Sequence, residues 1–73
     1  PVAAAPSSVL TARETEILDL MARGLNNAAI AKAAFISEQT VKNHITSIMR
    51  KLDVADRTQA VIEGVKLGLT KIQ

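Results

Sequence analysis

Residues 32 to 51 carry a charge pattern suited to binding phosphate. Lys32, Lys42, Arg50 and Lys51 are basic in that stretch, and Glu38 alone is acidic. Upstream, Arg13 and Arg23 are outweighed by Glu14, Glu16 and Asp19. The formal net charge of +2 says little by itself, but its concentration in one stretch is what contact with a polyanion requires. Within the same stretch, Val41, Ile45, Ile48, Met49 and Leu52 recur at helical spacing. Glu38, Gln39, Lys42, Asn43, Thr46 and Arg50 fall on the opposite side. One flank can be anchored while the other stays free to meet a ligand. A patch of this size is equally compatible with a solvated surface, so charge alone does not decide.

Most other chemistry is excluded by composition. The chain has 73 residues, 48% hydrophobic and 22% charged, which fits one small folded domain. There is no cysteine, so disulfides, zinc–thiolate sites and cysteine nucleophiles are all ruled out. A single histidine, His44, builds neither a metal site nor a hydrolytic triad. Three scattered glycines make no phosphate-cradling loop, and one aromatic, Phe35, makes no stacking platform for single strands. No nucleophile and base stand at workable spacing, so an enzyme is not expected, and neither a cofactor nor a metal is. No apolar run approaches the roughly 20 residues that cross a bilayer. No secretory signal and no initiator Met are present, which suggests a cytoplasmic piece of a longer protein.

The elements that must position the basic stretch are marked by their caps. Pro1 to Ser8 reads PVAAAPSS and is expected to be a linker or disordered tail, leaving residues 9–73 as the domain. Thr11-Ala-Arg-Glu14 is a capping box that opens a first helix. Its apolar stripe is Ile17, Leu18, Met21 and Leu25 with Leu20 beside it, and Gly24 ends it. Asn27 is the expected cap of a short second helix anchored by Ile30, with small Ala31 and Ala34 permitting close approach of a neighbour. Ser37 caps a third helix, residues 38–52. Asp56 caps a fourth that runs to Leu67 and stops at Gly68. The fourth has an inward stripe of Ala60, Val61, Gly64 and Leu67, which leaves Ile62 and Val65 pointing outward. His44 and the two methionines, Met21 and Met49, are read as packing groups. The expected class is therefore all-α, a four-helix domain, with a stability margin of roughly 3–5 kcal/mol.

The second and third helices, joined by a short turn, have the layout of a helix-turn-helix. A 15-residue helix is about 22 Å long, so roughly its first two or three turns fit a major groove about 12 Å wide. The free N–H groups at its N-terminus suit a phosphate. Against this layout, one set of residues narrows the field: Leu10-Thr-Ala-Arg-Glu-Thr-Glu-Ile-Leu18, Gly24-Leu25, Asn27, Ile30-Ala31, Ser37-Glu-Gln-Thr-Val-Lys-Asn-His44, Lys51-Leu52, Val54, Arg57 and Ala60. In that order and spacing they resemble the LuxR-type (GerE-type) helix-turn-helix domain, over residues 10 to 69.

The resemblance implies a sequence-specific binder of double-stranded DNA in a bacterial transcription regulator. In the NarL/FixJ type of response regulator, such a domain follows a receiver domain and a linker. It makes Lys42, Asn43 and Thr46 the base-edge readers, with Lys42 suited to guanine and Asn43 to adenine. Asn27, Ser37, Gln39, Thr40, Arg50, Lys51 and Arg57 become the phosphate binders. It also favours a homodimer through the fourth helix, with Ile62 and Val65 at the interface and Gly64 easing close approach. An interaction module that docks on RNA polymerase or another protein is the competing reading. Two residues depart from the family pattern: Ala29 stands where Glu is usual and Ala34 where a larger apolar residue is common. Both bear on the side-chain bracing of the scaffold helix and point to a slightly under-filled core, and they leave the reading helix untouched.

Overall fold

A computed structural model describes residues 10–71; the expected tail at residues 1–8 lies outside the described residues. Four helices follow in order: α1 (Ala12–Ala22), α2 (Asn27–Ala34), α3 (Glu38–Leu52) and α4 (Arg57–Lys66). No strand occurs among the described residues. Each helix starts at a polar cap. Thr11 accepts from the Glu14 amide at 3.1 Å while Glu14 Oε1 accepts from the Thr11 amide at 2.9 Å, which completes the capping box. Ser37 accepts from the Thr40 amide at 3.1 Å and Asp56 from the Gln59 amide at 2.8 Å. The cap of α2 is Asn26, whose Oδ1 accepts from Ala29 N–H at 2.9 Å, so Asn27 is not the cap but the first helical residue. The shift frees the Asn27 side chain for a partner elsewhere.

The core is aliphatic. Ile17, Leu18, Ile30, Val41 and Ile48 are fully buried, joined by Leu10, Leu20, Met21, Ala31, Ala34, Ile45, Leu52, Ala60 and Leu69. Leu25, Ile36, Met49, Val54 and Val61 pack partly buried against it. α3 lies across the other three helices, and α1 also packs on α2 and α4. The turn between α2 and α3 is made by Phe35, which takes a left-handed backbone at φ 59° and lets Ile36 N–H reach Ala31 O at 3.0 Å. Asp53 makes the same turn after α3, with Val54 N–H donating to Met49 O at 3.0 Å.

α4 departs from its expected stripe at one end. Ala60 and Gly64 are buried, but Leu67 is 43% exposed. Gly68, at φ 76°, turns the chain back, and Leu69 N–H bonds Gly64 O at 2.8 Å. Leu69 and Thr70 then fill the place assigned to Leu67, and the Thr70 hydroxyl donates to Asp19 Oδ1 on α1 at 2.5 Å. Gly64 therefore serves the interior of the domain rather than an outer face. A Cβ there would stand 2.8 Å from Leu18 Cδ2 and 3.2 Å from Thr70 Cγ2. Leu18 is fully buried, so any shift it makes is felt by the core around it. Gly64→Val should accordingly lower unfolding stability by about 1–3 kcal/mol, measured by urea denaturation.

Candidate nucleic-acid interface

α3 has two faces, and the sequence places them correctly. Val41, Ile45, Ile48 and Leu52 are buried, while Glu38, Gln39, Lys42, Asn43, Thr46 and Arg50 are exposed along the opposite side. No other described element covers that outer strip. The side chains of Lys42, Thr46 and Arg50 make no hydrogen bond or ion pair with the described residues, so their donors are available to a ligand. Gln39 Nε2 donates to Asn43 Oδ1 at 3.1 Å, one turn apart on the same strip. At the head of α3, Ser37 and Thr40 share a hydroxyl–hydroxyl bond of 2.9 Å, with Ser37 exposed and Thr40 half-buried. His44 is half-buried at the margin of the strip.

Three of the residues assigned to phosphate, Lys51, Arg57 and Asn27, are bonded to other segments of the fold. Lys51 Nζ pairs with Glu14 Oε1 at 2.7 Å. Arg57 donates to Leu25 O at 3.1 Å and to Asn27 Oδ1 at 2.9 Å, so two of the assigned residues hold each other. The Arg57 bonds tie the start of α4 to the turn between α1 and α2. Arg13 has a similar role at the other end of α2, donating to Ala34 O at 3.0 Å at its C-terminus. Sequence spacing gives no warning of these bonds, because the partners are 21 to 37 residues apart.

Glu14 is the group that sequence reasoning undervalued. Its first-turn position shows its bond to Thr11 but not its burial. The side chain is 6% exposed and also accepts from Ser47 Oγ on α3 at 2.6 Å. Burial pushes its pKa up. The hydrogen bonds from Lys51, Ser47 and the Thr11 amide, with the Lys51 charge, outweigh that and hold it at about 2 against an ordinary 4.5. A buried carboxylate thus pins the first turn of α1 to the last turns of α3, and it does so from the side away from the exposed strip.

The family model for bacterial regulatory proteins of the luxR family matches residues 8–63. The chain belongs to the luxR family. A relative, the transcriptional regulatory protein DegU of Brevibacillus brevis, is 50% identical over 68 residues, covering 93% of this chain and 29% of its own length. LiaR of Bacillus subtilis (strain 168) is 54% identical over 59 residues, covering 81% of this chain and 28% of its own. The response regulator protein VraR of Staphylococcus aureus (strain Mu3 / ATCC 700698) is 56% identical over 61 residues, 84% of this chain and 29% of its own. This luxR-family chain thus spans less than a third of the length of these relatives. A solved structure of the transcription factor GerE superposes with a TM-score of 0.85 at 40% identity, covering 89% of this chain and 97% of that one. The luxR-family assignment accords with the all-α architecture and with the helix-turn-helix formed by α2 and α3. Among the described residues, no helix is long and apolar enough to cross a membrane.

Proposed function

We propose that this domain binds double-stranded DNA by laying the first turns of α3 in the major groove, as the output part of a bacterial transcription regulator. The observation that carries the reading is the uncovered strip of α3, with Lys42, Asn43, Thr46 and Arg50 exposed above a buried aliphatic flank. Lys42, Asn43 and Thr46 read base edges. Phosphates are met first by Ser37, Gln39 and Thr40 at the head of the helix and by Arg50 near its end. Asn27, Lys51 and Arg57 reach phosphates only with the donors left over from their internal bonds. The domain acts by binding rather than by catalysis, in the cytoplasm. A receiver domain stands upstream in cis and RNA polymerase is the machinery regulated; the response regulator VraR among the relatives supports this layout. Ile62 and Val65, 38% and 37% exposed on α4, supply an apolar face for a second copy on adjacent half-sites.

The test is a titration of duplex DNA over a range of salt. Log affinity should fall linearly with log salt, each neutralised phosphate contributing a slope of about −0.9. Lys42→Ala removes a donor that braces nothing, so the fold should be unchanged while affinity for a specific duplex drops by roughly 10- to 100-fold. A flat salt response, or undiminished binding by the variant, sinks the reading. Survival of a protein contact in its place would favour the docking-module alternative.

A further inference from the structure

Phe35 is costly to the domain in two ways. Its backbone is left-handed at φ 59°, a conformation that a bulky side chain rarely takes and glycine takes freely. Its ring is 93% exposed, so it adds almost nothing to the core. Asp53, the other non-glycine residue with such a backbone among the described residues, is of a type that tolerates it. A residue that works against folding twice without filling the interior points to a contact outside the domain. The ring borders a shallow groove between α2 and the head of α3, lined by Ala28, Ala31 and Lys32 on one side and by Ser37 and Glu38 on the other. The alanines keep this groove open and apolar. Lys32 stands one turn before Phe35, exposed and without a hydrogen bond or ion pair among the described residues. It belongs to the basic stretch of the sequence but lies off the outer strip of α3.

Glu38 also opens that strip, so the groove runs directly into the face proposed to meet DNA. When a helix lies in a major groove about 12 Å wide, a strand backbone flanks it on either side. The backbone that passes the head of α3 crosses the groove beside Phe35. Its deoxyribose edges are apolar and its phosphates anionic, which matches a ring with an ammonium one turn away. The one carboxylate in the groove, Glu38, sits at the start of α3, where the helix dipole offsets its charge. We infer that Phe35 and Lys32 clamp this strand backbone, the ring against a deoxyribose and the ammonium on an adjoining phosphate. The inference rests on the DNA-binding reading and adds to it a contact surface outside α3. Such a clamp carries no sequence information; it fixes register and raises affinity for every duplex alike.

The experiment compares the 73-residue chain with its Phe35→Asn, Phe35→Tyr and Lys32→Ala variants, on duplexes that the chain selects from a random library and on unrelated duplexes. Asparagine accepts a left-handed backbone, so Phe35→Asn should keep or raise the thermal midpoint. Its affinity for every duplex should nevertheless fall by about fivefold, the loss expected for an apolar contact of this size. The dependence of affinity on salt should be unchanged, because the ring neutralises no phosphate. Phe35→Tyr keeps the ring and should bind as the original does. Lys32→Ala should weaken binding and make the salt slope shallower by about 0.9. Phe35 is the only Phe, Tyr or Trp in the chain, so its ring protons are readily assigned. Nuclear Overhauser contacts from them to deoxyribose protons should appear in the complex. Undiminished affinity of Phe35→Asn, or a ring without sugar contacts in the complex, overturns the inference and leaves the ring to a protein neighbour. A lowered thermal midpoint in Phe35→Asn overturns it by showing that the ring serves the fold, and an unchanged salt slope in Lys32→Ala overturns the clamp. Absence of any salt-dependent duplex binding by the original chain overturns the DNA-binding reading itself.

Discussion

Glu14→Gln should bring the domain to the edge of unfolding. The carboxylate sits in the interior with Lys51, Ser47 and the Thr11 amide all donating to it. Its pKa is about 2 in the folded chain against an ordinary 4.5. That difference corresponds to about 3 kcal/mol of stability at neutral pH. A domain with this little core has a margin of only roughly 3–5 kcal/mol, so most of it would be lost. The sign of the pH dependence follows from the direction of the shift. Because the folded pKa is depressed, the unfolded chain takes up this proton first as the solution is acidified. The contribution is fully present above about pH 4.5 and is lost as pH falls towards about 2. Urea denaturation followed by circular dichroism across that range should show the original chain weakening steadily. Glu14→Gln should start weak and lack this part of the pH dependence. A variant within about 0.5 kcal/mol of the original at pH 7, the usual spread of surface substitutions, would show the network to be dispensable.

Val65→Asp should separate dimeric from monomeric engagement of DNA. Val65 and Ile62 are exposed on α4, so a charge at position 65 leaves the core of the single domain undisturbed. Two copies paired through this face bind two half-sites with an effective concentration that one copy lacks, and such linkage is worth 10²–10⁴ in apparent affinity. Affinity for a duplex with two half-sites should fall by about 100-fold, whereas a single half-site duplex should bind as before. The two duplexes together distinguish a broken dimer from a damaged reading face. Equal affinity of Val65→Asp and the original chain for the paired sites would remove the α4 contact from the account.

How much of this was legible in the sequence depended on whether the controlling interaction was local. Thr11, Ser37 and Asp56 announce their helices because a cap bonds an amide three residues on, and sequence shows that spacing directly. The two faces of α3 are readable for the same reason, since helical periodicity alone assigns Val41 and Asn43 to opposite sides. The cap of α2 lies one residue before the expected Asn27, at Asn26, and the two side chains are chemically equal. Only the direction of the Asn27 side chain, towards Arg57, separates them. The helical stripe of α4, continued past the end of the helix, places Leu67 inside, whereas it is 43% exposed. The turn at Gly68 brings Leu69 back to fill the gap, and a helical wheel has no means of showing a reversal. The resemblance makes Lys51 and Arg57 phosphate binders but says nothing of their internal bonds, because the groups that engage them belong to distant segments.

The two ends of α3 are fastened by different means. Its head follows directly from the left-handed turn at Phe35, and its tail is bridged to α1 through Lys51 and Glu14. These ties restrain the helix from rolling or tilting within the domain. To the extent that the helix holds its place, a mismatch in shape with a duplex would fall on the nucleic acid, whose cost of bending varies from step to step. Supple pyrimidine–purine steps would then be favoured at places no side chain reaches, and part of the discrimination would reside in the mechanics of the target rather than in any residue of the protein.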